Sequence, residues 1–186
     1  MGVGHHPAAS LARAVFLDRD GTLNRVVVRN GKAYPPGSLE AFELYPGVPE
    51  ALGRLKAAGL LLVVVTNQPD VGAGRQEKEI VEAIHLRMRA LLPLDDVRVC
   101  FHTDDDRCGC RKPRAGMLED AAALLRIDLR RSYMVGDRWR DIEAGRAVGC
   151  RTVFIRNDYD ERQPDSCDLT VDSLVDAAQA ILLEIG

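Results

Sequence analysis

The chain has 186 residues and a formal net charge of −3, with 46% hydrophobic and 28% charged residues. This ordinary globular balance suits one domain with a sizeable core and leaves little room for a second. No basic run forms a nucleic-acid footprint, and no stretch approaches the ~20 apolar residues that span a bilayer, so nucleic acid and membrane are excluded as expected partners.

The N-terminal "MGVGHHPAASLARAVFLDRDG" holds one apolar run, Ala14–Leu17, which leads straight into acidic residues. That is a poor secretory signal and a good first strand. Residues 1–13, with His5 and His6, read as a flexible tail, and 14–186 as a single domain. The expected setting is the cytoplasm. The five cysteines should then be reduced, so a tight cysteine cluster should bind metal rather than form disulfides.

Along the chain, "AVFLD" (14–18), "LLLVVVT" (60–66), "VRVCF" (97–101), "YMVGD" (133–137) and "RTVFI" (151–155) are short apolar runs of strand formers. Such runs suit parallel strands buried on both faces. Helical patterns lie between them: Val48–Ala58, stopping at Gly59; Gln76–Leu92, with Ile80, Ile84 and Leu91 on one stripe; Met117–Leu125; Asp141–Val148, stopping at Gly149; and a last helix from Ser173, its N-cap, to Ile185. His85 is expected to be partly exposed. The turn-rich 26–38 interrupts the alternation and reads as a hairpin or flap turning at Asn30-Gly31. The pattern predicts an α/β fold, a parallel sheet covered on both faces, with ligands beyond the carboxyl ends of its strands.

Those ends carry chemistry. In "LDRDGTLN" an extended chain points Asp18 and Asp20 the same way, and Gly21 permits a sharp turn. Paired acids repel unless a hard cation lies between them, and Mg²⁺ takes oxygen ligands. "VVVTNQ" supplies the Thr66 hydroxyl and the amides of Asn67 and Gln68 for phosphate oxygens. "CRKP" supplies Lys112, a point charge for a dianion. "VGDRWRD" adds Asp137, Arg138 and Asp141. Each is weak alone; their order, each at or after an expected strand, is not.

Together "DRDGTLN", "VVVTNQ", "CRKP" and "VGDRWRD" resemble the four motifs of the haloacid dehalogenase superfamily of phosphohydrolases, over nearly the whole chain. The resemblance implies a Rossmann-like three-layer αβα sandwich. It implies Asp18 as nucleophile forming an aspartyl-phosphate, and Asp20 as the acid that protonates the leaving alcohol and then activates water. Mg²⁺ would be held by Asp18, the Asp20 backbone carbonyl and Asp137. Thr66 and Lys112 would hold phosphoryl oxygens, Asn67, Gln68, Arg111 and Arg138 would bind substrate, and Asp141 would support the others from behind.

"VCFHTDDDRCGCRKP" (99–113) places Cys100 and His102 at i and i+2, and Cys108 and Cys110 likewise. Two such pairs can face one tetrahedral ion, and three cysteines with one histidine form a structural Zn²⁺ set with no open position. Asp104, Asp105 and Asp106 read as the solvated tip of the loop. This loop before "RKP" resembles the heptose 1,7-bisphosphate phosphatases and the histidinol phosphatases, small members without a large cap domain. Arg111 stands where the heptose enzymes contact a distal phosphate. The expectation is a monomeric Mg²⁺-dependent phosphatase, with a structural zinc-bound loop, that removes the 7-phosphate of D-glycero-D-manno-heptose 1,7-bisphosphate in nucleotide-activated heptose biosynthesis. A histidinol-phosphate phosphatase and a non-catalytic zinc-stapled binding module are the alternatives.

Overall fold

The computed structural model describes residues 11–186. The expected tail falls mostly on residues 1–10, including His5 and His6, which lie outside the described residues. Ala12 already exchanges backbone hydrogen bonds with Arg126 and Asp128 at 2.9 and 2.8 Å.

The chain runs β1 (Ala14–Leu17), the hairpin β2 (Val27–Arg29) and β3 (Lys32–Tyr34), α1 (Val48–Ala57), β4 (Leu61–Asn67), α2 (Pro69–Gly72) and α3 (Lys78–Leu91). It continues through β5 (Asp96–Cys100), α4 (Gly116–Leu125), β6 (Tyr133–Gly136), α5 (Trp139–Ala147), β7 (Arg151–Ile155), β8 (Leu169–Val171) and α6 (Leu174–Ile185). Six strands form one sheet in the order β5-β4-β1-β6-β7-β8, all parallel.

Alternate residues of β1 feed opposite faces, as the two-residue period of a strand requires. Val15 and Leu17 pack with Leu52 and Leu55 of α1 and Ala177 and Ile181 of α6. Ala14 and Phe16 pack with Leu118 and Ala121 of α4 and Ala144 of α5. The result is the expected three-layer αβα sandwich. Ser173 caps α6, its side chain accepting from the Asp176 N–H. No helix among the described residues is long and apolar enough to cross a membrane.

Between β1 and α1 the chain builds a small hairpin rather than a large cap. Asn30 and Gly31 turn it at φ 50° and 73°, the paired positive values of a type I′ turn.

Two short elements were not anticipated, and two expectations about α3 need correction. The single-turn α2 and the three-residue β8 lie below the length at which periodicity shows. The apolar stripe of α3 is Val81, Ile84, His85 and Met88, while Leu91 is exposed. His85 therefore faces inward, not partly outward.

Candidate active site

The strand order reverses direction at β1: the chain first fills the β4 side, then crosses to β6. Such a switch point opens a crevice beyond the strand ends. Asp18 follows β1, Thr66 lies in β4, and Asp137 and Asp141 follow β6. They converge there, and the cleft of about 340 Å³ is lined by Asp18, Thr66, Lys112, Asp141 and the flap.

One carboxylate oxygen each from Asp18, Asp137 and Asp141 lie within 4.8 Å of one another. Lys112, only 2% exposed, sits against this cluster. Its Nζ is 2.6 Å from Asp18 Oδ1 and from Asp141 Oδ1, and it donates to the Val65 carbonyl at 2.6 Å. That uses all three donors of the ammonium. Burial opposes its charge, but Asp141 and Asp18 outweigh burial and raise its pKa.

Asp137 has no such cation. Burial first, and then the charges of Asp18 and Asp141, push its carboxyl well above the usual range. Its Oδ1 accepts from Thr22 at 3.4 Å, and the Tyr159 hydroxyl stands beside the carboxylate as a further donor. Three buried carboxylates whose oxygens crowd together in this way are a place for a hard metal ion. Asp141 is pushed up to about 6 by burial, with Lys112 opposing. Gly21 makes the close approach possible: at φ +89° a Cβ there would lie 2.0 Å from Asp137 Oδ2.

Asp20 lines the same cleft, but its carboxylate is gripped from behind. Arg19 donates to Oδ2 through Nε at 3.0 Å and Nη2 at 2.7 Å, Gln68 donates to Oδ2 at 2.7 Å, and Asn24 donates to Oδ1 at 2.9 Å. Burial would raise its pKa, but the Arg19 charge and these hydrogen bonds lower it. Gln68 also donates to the Thr66 hydroxyl at 2.9 Å, and the Asn67 amide bonds the Lys112 backbone. Both amides line the cleft while orienting the groups that flank them.

The second cluster joins the end of β5 to the loop before Lys112. The donor atoms of Cys100, His102, Cys108 and Cys110 lie within 4.8 Å of one another, with neighbouring pairs 3.1 to 3.7 Å apart. A tetrahedral site with metal–sulfur bonds of about 2.3 Å has sulfur–sulfur edges of about 3.8 Å. The cluster can hold a metal ion, at slightly contracted spacing. Desolvation opposes ionisation of Cys108, yet hydrogen bonds from the Arg111 backbone and neighbouring thiols bring it down to about 7.

Asp104 does more than solvate the loop tip, which corrects the expectation. It accepts from Arg111 Nε at 2.8 Å and pairs with Arg140 at 3.5 Å. Arg111 is 9% exposed, and its Nη1 has no hydrogen-bond partner. Arg138 pairs with Glu161 at 2.8 Å and donates to the Ala33 carbonyl of the flap at 3.1 Å. Asp160 N–H donates to the Gly31 carbonyl at 2.7 Å, so the flap is tied to the segment after β7. The guanidinium groups of Arg140 and Arg162 each lie 4.6 Å from the centre of the Trp139 ring.

Two functional candidates escaped the sequence reading: Arg19 and His85, joined through Arg19 Nη1 and His85 Nε2 at 3.0 Å. The signal for His85 was present, since it stands four residues after Val81 and one after Ile84 on the buried stripe.

A parallel sheet with an acidic cluster and a buried lysine at its switch point defines a phosphohydrolase of the haloacid dehalogenase class. A family model described as HAD-hydrolase-like matches residues 109–177. The D-glycero-beta-D-manno-heptose-1,7-bisphosphate 7-phosphatase of Haemophilus ducreyi is 35% identical over 179 residues, 88% of this chain and 95% of its own. The enzyme of the same name from Escherichia coli K12 is 36% identical over 183 residues, 90% of this chain and 93% of its own. The crystal structure of D,D-heptose 1,7-bisphosphate phosphatase from B. bronchiseptica, complexed with magnesium and phosphate, matches with a TM-score of 0.80 and 30% identity, covering 92% of this chain and 99% of that one. The chain belongs to this heptose-bisphosphate phosphatase family of phosphoric monoester hydrolases.

Proposed function

We propose that this enzyme removes the 7-phosphate of D-glycero-D-manno-heptose 1,7-bisphosphate through an aspartyl-phosphate, as a Mg²⁺-dependent cytoplasmic step in making nucleotide-activated heptose. The observation that carries the reading is the convergence of Asp18, Asp137 and Asp141 on one another, with Lys112 bonded to two of them.

Lys112 and the Thr66 hydroxyl bind oxygens of the entering phosphoryl group. A carboxylate oxygen of Asp18 attacks phosphorus while the bond to the sugar oxygen breaks. Asp20, protonated for this step, gives its proton to the leaving oxygen. In the free site Arg19 favours the ionised form, but the incoming phosphate brings negative charge, which favours protonation. Asp20 then takes a proton from water as that water attacks the aspartyl-phosphate, releasing inorganic phosphate and restoring Asp18. Asp18, Asp137 and the Asp20 backbone carbonyl are the residues that would hold Mg²⁺, which when bound offsets charge on the phosphoryl oxygens.

Cys100, His102, Cys108 and Cys110 fit a structural Zn²⁺ with no open position. Such an ion would fix the loop carrying Arg111 and Lys112. Arg111, with a buried unpartnered Nη1, is the group for the distal phosphate, and Arg138 helps hold the flap over the sugar. Five free cysteines suit a reducing compartment. The protein is read as a monomer.

The test is phosphate release from both anomers of heptose 1,7-bisphosphate, histidinol phosphate and simple hexose phosphates. The highest kcat/KM should belong to a heptose bisphosphate. An equal or higher value for histidinol phosphate overturns the assignment.

A further inference from the structure

Arg19 lies between the two acids of the first motif and is 0% exposed. Its backbone carbonyl accepts from the N–H groups of Thr22, Leu23 and Asn24 at 3.3, 2.8 and 3.2 Å, so the tight turn anchors its main chain. Its guanidinium is used at both ends. Nε and Nη2 grip Asp20 Oδ2 at 3.0 and 2.7 Å, and Nη1 meets His85 Nε2 at 3.0 Å. His85, 8% exposed, comes from the middle of α3.

A guanidinium has only donors, so the imidazole nitrogen facing it must accept, and the ring must be neutral with its proton on Nδ1. Burial first and then the Arg19 charge lower the His85 pKa to about 4, with Asp20 opposing and Arg89 adding to the fall. The ring is thus uncharged at neutral pH.

We propose that His85 is a positioning residue: by accepting from Arg19 it fixes the guanidinium that aims the Asp20 carboxyl at the leaving oxygen. The inference rests on the reading of Asp20 as the acid and base. Without His85 the Nη1 donor is buried and unpaired, a cost relieved if the guanidinium swings away. Asp20 then keeps Asn24 and Gln68 but loses the fork that sets its direction. Proton delivery suffers, while attack by Asp18 does not.

That division is measurable. An alkyl alkoxide needs a proton in order to leave; p-nitrophenolate does not. His85→Leu and His85→Ile remove the acceptor at similar volume and are run in parallel, so that a folding failure of one leaves the comparison intact. Each is compared with wild type, Asp20→Asn and His85→Gln. The substrates are the best alkyl phosphate of the panel and p-nitrophenyl phosphate, with thermal unfolding as a fold control. The acceptor-free variants should lose about 10-fold in kcat/KM on the alkyl phosphate and about 2-fold on the aryl phosphate, a part of the ~10²–10⁴-fold worth of a general acid. His85→Gln, whose Oε1 can accept in place of Nε2, should recover most of the alkyl activity.

Equal losses on both substrates in the acceptor-free variants, with Asp20→Asn still selective for the alkyl substrate, would overturn the positioning role alone. So would a His85→Gln variant no better than His85→Leu. Equal losses on both substrates in Asp20→Asn would overturn the acid role of Asp20 and the positioning role with it.

Discussion

Asn67 and Lys112 are fastened to each other by two hydrogen bonds: Asn67 Nδ2 donates to the Lys112 carbonyl at 3.0 Å, and the Lys112 N–H donates to Asn67 Oδ1 at 3.1 Å. One residue ends a sheet strand, and the other lies in the loop that follows the cysteine-histidine cluster. The side-chain amide mimics one more rung of the sheet and fixes where the lysine side chain starts. From there Nζ reaches both Asp18 and Asp141.

Asn67→Ala should therefore lower kcat by about 10-fold through misplacement of Lys112. It should lower stability by about 1–2 kcal/mol, the scale of lost hydrogen bonds that leave a backbone group unpaired. Steady-state kinetics and urea unfolding measure the two. Unchanged kcat would separate the amide from lysine placement.

Metal analysis of freshly reduced protein should give about one zinc per chain, bound through one Cys₃His set, alongside readily exchanged Mg²⁺ required for turnover. Cys108→Ser should lose the zinc and unfold at lower temperature, with activity falling as a consequence. A Cys108–Cys110 disulfide and no zinc would refute the site.

Arg111→Ala should reduce kcat/KM for heptose 1,7-bisphosphate by about 10-fold or more, the scale of a lost charge-assisted hydrogen bond of ~1.5–3 kcal/mol. Hydrolysis of p-nitrophenyl phosphate should change much less, since that substrate has no second phosphate to bind. Equal losses would assign Arg111 to the reaction centre or to the fold of its loop, where it already holds Asp104.

His85 predicts an acid-sensitive stability. Its pKa falls from 6.5 to about 4 in the folded protein, so below pH 6.5 the unfolded chain binds the proton first. The contribution is complete above that value and is lost as pH falls toward about 4. His85→Gln should lose about 2 kcal/mol less stability than wild type between about pH 7.5 and about pH 5, measured by urea unfolding. Parallel losses in the two proteins would show that another group drives the acid sensitivity.

The sheet and the order of its site residues were legible because buried parallel strands are continuous apolar runs, and parallel strands bring their carboxyl ends to one side whatever lies between them. Asp18, Thr66 and Asp137 could thus be grouped without knowing any loop, whereas Lys112, set in the long loop after β5, was legible only through its motif. The hairpin was legible from Asn30-Gly31, because few dipeptides accept two positive φ angles. Partners chosen by packing were not legible. Arg19 and His85 are 66 positions apart, and the rotation of one helix decides whether they meet. Asp104 looked like loop solvent because nothing local tells which aspartate of three will find Arg111.

The six-stranded sheet has two free borders. β5 lies at one, where Asp96 and Arg98, two residues apart and so on the same face of the strand, are ion-paired at 2.6 Å. β8 lies at the other and is three residues long. A second molecule adding a strand would meet fixed charge at one border and too few backbone groups at the other, and short or charged edges are how open sheets avoid edge-to-edge pairing. The same sheet that gathers three carboxylates at its centre carries, at its margins, features that disfavour the addition of a further strand.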